Sequence, residues 1–152
     1  KEPNWQAGLE GMMSSFMASV VMSDMLLGCG FLHGSRIWSY AEMMMDCEIF
    51  SIIHKTMQGI VVDDESLALD AIAAVGPSGN FLAQKHTKKH MREIFLPEFM
   101  GRRTFNEWEA KKDDARDWAL AKARRILAAH QPDPLDAKIS AEMAKIIAAN
   151  EK

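Results

Sequence analysis

The sequence predicts a mostly α-helical chain with one or two short strands, and three observations carry that prediction. Apolar residues recur at helical spacing through most of the 152 positions. Helix start and stop signals bracket those stretches. Strand-like runs are confined to residues 25–29 and 80–83. Apolar residues make up 48% of the chain, enough for one compact unit and too much for a disordered one.

The elements follow in order. Residues 12–32 have the length of a membrane span but contain Asp24 and two glycines, Gly28 and Gly30. A charge at bilayer depth costs at least about 2.5 kcal/mol, so no membrane association is expected. The segment divides instead into a helix over 4–22 and a short apolar strand over 25–29. Ser39 and Glu42 have the spacing of a capping box opening a helix that runs to Met57 and stops at Gly59. Asp63, Asp64 and Glu65 place acids at the start of a helix over 66–75, ended by Gly76-Pro77. Residues 80–83 form at most a very short strand, and a helix covers 87–95.

The last third is a mixed-charge helical surface. One or two turns span 105–110, and Asp113 or Asp114 opens a helix to His130 with Ala115, Ala119, Ala123, Ile126 and Leu127 inward. Asp133-Pro134 reads as the cap and first position of a final helix burying Leu135, Ile139, Met143, Ile146 and Ile147. Nine of twelve methionines precede residue 58, where they share their segments with Leu, Val, Ile and Phe and read as core filler. Residues 1–60 are too apolar to be wetted on most sides, and isolated short strands form no sheet. The strand–loop–helix order therefore points to an α/β body of which further strands are needed, or to extensive homo-oligomerisation.

Composition also bounds function. Lys and Arg number 18 against 21 Asp and Glu, which argues against binding nucleic acid through phosphates. Two cysteines, Cys29 and Cys47, build no disulfide framework and suit a reducing, cytoplasmic setting. Residues 1–6 do not form the basic opening of a secretory signal.

Several motifs together resemble the trimethylamine methyltransferase family, which includes members without pyrrolysine such as glycine betaine methyltransferases. They are Trp5-Gln6-Ala7-Gly8, Gly28-Cys29-Gly30-Phe31-Leu32-His33-Gly34, Met45-Asp46-Cys47-Glu48, and Val62 to Ile72. Val75-Gly76-Pro77-Ser78-Gly79-Asn80-Phe81 with His86-Thr87 is the most telling, and Gln131 to Asp136 closes the series. Ser78 and Asn80 depart from the glycine and histidine common at those places.

The resemblance implies the C-terminal part of a (β/α)8 TIM barrel that moves a methyl group from a methylated amine to a corrinoid carried by a partner protein. Residues 1–100 would be its last βα units and residues 101–152 a helical extension packed on the barrel. A chain of this extent would not catalyse alone, because barrel sites are assembled from loops after several strands. The rival reading is a non-catalytic helical docking or oligomerisation module.

On the barrel reading, the loop after the strand at 25–29 lies at the catalytic face. It offers Phe31, Trp38 and Tyr40 as ring faces for an ammonium group, with His33 beside them and Arg36 as a carboxylate clamp. Gly76, Gly79 and His86 would lie toward substrate or corrinoid. Asp46 and Glu48, two apart on a helix, point to different faces and suit structural pairing better than joint acid–base work. His86 and His90 have metal-ligand spacing, but only Thr87, Lys88 and Lys89 lie between them. Two lysines beside a cation are unfavourable, and no bound metal is expected.

Overall fold

A computed structural model describes residues 2–151. The long helices are α1 (Trp5–Val20), α2 (Tyr40–Met57), α7 (Ala115–Ala129) and α8 (Ala137–Asn150). Shorter ones are α3 (Asp64–Leu67), α4 (Leu69–Val75), α5 (Lys85–His90) and α6 (Phe105–Lys111). The strands β1 (Phe31–Leu32) and β2 (Ile37–Trp38) form one antiparallel hairpin, pairing Phe31 with Trp38 and Leu32 with Ile37.

α2 is the spine: α1 packs on one side and α7 on another. The side chain of Asn4 caps α1 by accepting the Ala7 N–H at 3.1 Å, and Ser39 caps α2 by accepting that of Glu42 at 3.3 Å. α7 lies close to α2 because it presents alanines. Ala119 is fully buried (0% exposed) and, with Ala41 and Phe99, forms the core cluster into which Met44, Met45 and Trp118 pack.

The segment between α5 and α7 is tied to both α2 and α7. The Glu48 carboxylate accepts the backbone N–H groups of Glu98 and, at 2.8 Å, Phe99. Lys122 pairs with Glu98 and lies 5.3 Å from the Phe99 ring centroid. Arg103 bonds Asp113 at 2.5 Å and covers the Trp118 ring at 4.6 Å.

The structure corrects several sequence expectations. Residues 25–29 form no strand, because no neighbouring strand is present among the described residues to take their backbone hydrogen bonds. The two strands present belong to a hairpin further on. Residues 81–83 form a 3₁₀ turn, and the helix expected over 87–95 is confined to 85–90. The helix expected over 66–75 is broken at Ala68, which adopts the left-handed conformation with φ 50° between α3 and α4.

α8 starts after Asp136 rather than Asp133, since Asp136 accepts the N–H groups of Lys138 and Ile139. Its apolar face is not buried: Leu135, Ile139, Met143, Ile146 and Ile147 are all exposed, as are Ile126 and Leu127 at the end of α7. The chain exposes 12587 Å². A self-contained monomer of its 17.0 kDa would expose roughly 7,700 Å². Its apolar faces are therefore incompletely covered by its own residues. No helix among the described residues is long and apolar enough to cross a membrane.

The alanine contact between α7 and α2 leaves no room for a larger side chain. Ala119→Leu should lower stability by about 1–3 kcal/mol, read as a reduced urea midpoint with an unchanged slope.

Candidate functional site

The first turns of α2 carry two carboxylates at i and i+4, Glu42 and Asp46, which share one helix face. Both are buried, Glu42 at 3% exposure and Asp46 at 8%. Asp46 is the anchor of the adjoining loop, accepting the Gly30 N–H at 2.8 Å. The Gly30 carbonyl in turn accepts the Ser39 N–H at 2.9 Å, and the Trp38 indole N–H reaches the Cys29 carbonyl at 3.2 Å. Gly30 has φ 82°, and a Cβ there would stand 2.7 Å from Trp38 Nε1 and 2.9 Å from Met43 Cβ. Only glycine satisfies both the conformation and the contact.

This anchoring shapes an open cleft of about 480 Å³ between the start of α1, the loop from Gly28 to Gly34, and the two α2 carboxylates. Its wall also carries Glu2 and Glu10, and no Lys or Arg among the described residues lines it. One oxygen of Glu42, Oε2, is buried without a hydrogen-bond partner. Burial, reinforced by the nearby Asp46 charge, pushes the Glu42 carboxyl up to about 7. Burial also raises Asp46, while the hydrogen bond from Gly30 opposes that rise. A cationic group entering the cavity would pair the orphaned oxygen and relieve the repulsion between the two acids.

The sequence-predicted residues are distributed unevenly around this cavity. Phe31 and His33 lie on its wall. His33 belongs to a hairpin tip of three consecutive positive φ values: 52° at His33, 62° at Gly34 and 64° at Ser35. Trp38 and Tyr40 pack edge to face, with centroids 4.5 Å apart, and neither lines the cavity. Arg36 is exposed at the hairpin, and among the described residues it pairs with neither Glu42 nor Asp46. The three rings are therefore not assembled around one space.

Gly76 ends α4 at φ 69° with open space where a Cβ would stand, whereas a Cβ at Gly79 would meet Val75 Cγ1 at 2.4 Å. His86 sits on α5, its Nε2 2.8 Å from the Glu65 carbonyl oxygen.

Glu42 is the residue sequence reasoning missed. The capping-box spacing gave it a local role, and half of that box forms, through its N–H to Ser39. Its side chain does not return to the cap, because the Ser39 N–H is already given to Gly30. The signal was the four-residue spacing from Asp46. Asp46 and Glu48 do point to different faces, one to Gly30 and the other to Phe99. Cys29 offers no nucleophile at neutral pH, since burial and then the neighbouring Cys47 and Asp46 push its thiol up to about 11.

Comparison with known proteins identifies the family of the chain. The family model described as trimethylamine methyltransferase (MTTB) matches residues 1–152. The chain is 36% identical over 145 residues to glycine betaine methyltransferase of Desulfitobacterium hafniense (strain Y51), a match covering 94% of this chain. It is 34% identical over 148 residues, 97% of its length, to the trimethylamine methyltransferases MttB of Desulfitobacterium hafniense (strain DSM 10664 / DCB-2) and of Methanosarcina barkeri. The chain belongs to the trimethylamine methyltransferase family. It spans about 30% of the length of these curated relatives.

The shifted Glu42 carboxyl makes stability depend on pH. Glu42 titrates near 4.5 when unfolded and near 7 when folded, so between these values the folded chain keeps a proton that the unfolded chain has released. The contribution is fully present below pH 4.5, falls as pH rises, and is lost above about 7. Glu42→Gln should therefore raise stability at pH 8 by roughly 1–3 kcal/mol and leave it unchanged at pH 4, as measured by thermal melts at both values.

Proposed function

We propose that this chain is the C-terminal part of a (β/α)8-barrel enzyme that moves a methyl group from a methylated amine to the Co(I) of a corrinoid carried by a partner protein. Family membership supports the reaction class. The observation that carries the reading within this chain is the buried, unpartnered Glu42 oxygen on an acid-lined cavity. A wall without Lys or Arg among the described residues favours a donor of net positive charge, such as a trimethylammonium group, over a betaine whose carboxylate needs a partner.

A corrinoid held by the partner protein would supply the nucleophile for the methyl carbon, so this chain would need none of its own. In the transfer the C–N bond breaks toward nitrogen, and the amine leaves with the electron pair and without its charge. Glu42 and Asp46 hold the charged donor, and Phe31 and His33 close the wall beside them. Loss of the charge removes the attraction to the carboxylates, which favours release of the amine. Gly76, Gly79 and His86 are assigned to the side facing substrate or corrinoid. The open space at Gly76 admits close approach of a large flat group, whereas Gly79 serves local packing against Val75.

In this reading residues 1–100 are the closing βα units and residues 101–152 a helical extension. The enzyme is cytoplasmic and homo-oligomeric, and this portion alone is inactive. The large exposed surface suits helices that pack on the rest of a barrel. The same surface would suit a helical docking or oligomerisation module, but such a module has no use for a buried carboxylate lacking a partner.

The test is methylation of cob(I)alamin by the whole protein, followed by absorbance across trimethylamine, glycine betaine and related donors. A cationic amine should react, and Glu42→Gln should lower kcat/KM by about 10–100-fold, chiefly through KM. Inertness toward every methylated amine, or an unchanged KM in Glu42→Gln, overturns the reading.

A further inference from the structure

The segment carrying α3, α4 and α5 holds a second cluster, of which the methyl-transfer reading uses only His86. We propose that Glu65, His86 and His90 form a binding site for a first-row divalent cation, zinc by donor set, which staples α3 to α5.

His86 and His90 are successive on one face of α5, their ring centroids 4.3 Å apart. Glu65 of α3 closes over them, Oε1 standing 3.0 Å from His90 Nε2. One donor atom from each of the three residues lies within 4.8 Å of the other two. Zinc bonds of 2.0–2.2 Å set tetrahedral donors about 3.3 Å apart, so the Glu65–His90 pair is already near that spacing. His86 completes the set by a ring movement that exchanges the Glu65 carbonyl, now 2.8 Å away, for the ion. The other nitrogen of His90, Nδ1, lies 2.8 Å from Glu93 Oε2. A carboxylate behind a ligating imidazole fixes the ring and its tautomer.

The sequence argued against a metal because the residues between the histidines supply two lysines and not the glutamate of a metalloprotease motif. The third ligand comes from 21 positions before His86. Of the lysines, Lys89 bonds the same Glu65 oxygen at 2.7 Å. Its ammonium stands where Glu65 would meet a cation, and a bound ion displaces it to solvent. Two imidazoles and one carboxylate are a set suited to zinc, which leaves a fourth position for water.

The site shares no residue with the α2 carboxylates that carry the methyl-transfer reading, so its failure would leave that reading standing on Glu42 and Asp46. The test is zinc binding to the purified protein by equilibrium dialysis and elemental analysis, with cobalt(II) as a spectroscopic substitute. One equivalent should bind and raise the melting temperature. His86→Gln, His90→Gln and Glu65→Gln should each weaken binding at least about tenfold, and Glu93→Gln by about tenfold. Lys89→Met should tighten it.

The cobalt(II) form should lack the near-ultraviolet thiolate band. The metal-free melts of the histidine variants should match the parent, which separates lost ligation from lost folding. No zinc uptake, uptake indifferent to His86→Gln and His90→Gln, or uptake abolished by Cys29→Ser or Cys47→Ser overturns the proposal.

Discussion

The hydrogen bond from the Gly30 N–H to the buried Asp46 carboxylate is the contact on which the candidate site depends. It joins a loop that has no regular structure of its own to the longest helix of the chain. With it come the short hairpin, the exposed pair Trp38 and Tyr40, and the wall residues Phe31 and His33. A buried carboxylate without a counter-ion is a costly anchor, and the backbone N–H offsets part of that cost. Asp46 is in this sense a structural acid whose charge is only partly neutralised.

Glu42, one turn earlier, has the burial without the compensation. Two acids stacked on one helix face, with no Lys or Arg alongside among the described residues, form an arrangement that folding alone would not favour. Local rules are broken where function requires it, and this pair breaks two, burial without a partner and like charges one helical turn apart. Family membership gives the violation a chemical meaning, because the relatives are named for methylated amines.

How much of this was legible in the sequence varies by the range of the interaction. Ser39, Asp63 and Asp114 were readable as helix starts because caps act within three residues. Asp133 and Asp136 carried the same signal three positions apart, and only the later one caps α8. The break at Ala68 had no signal, since alanine is the best helix former. Residues 25–29 had strand composition, but a strand needs a neighbour that their own composition does not supply.

Among the site residues, Phe31 and His33 follow from loop position, whereas Glu42 was hidden behind a competing capping role. The Glu65 contact with two later histidines was beyond any local pattern. The family itself was legible through motif order, which survives where local propensity fails.

Gly30 has a consequence for how such a loop can change. Position 30 admits a single residue type, because a methyl group there would strike the Trp38 ring and the Met43 side chain of α2 at once. Phe31, on the cavity wall and half exposed, carries no such restriction. A pocket built this way can exchange its lining, and with it the breadth of molecules it accepts, while its framework keeps one fixed point.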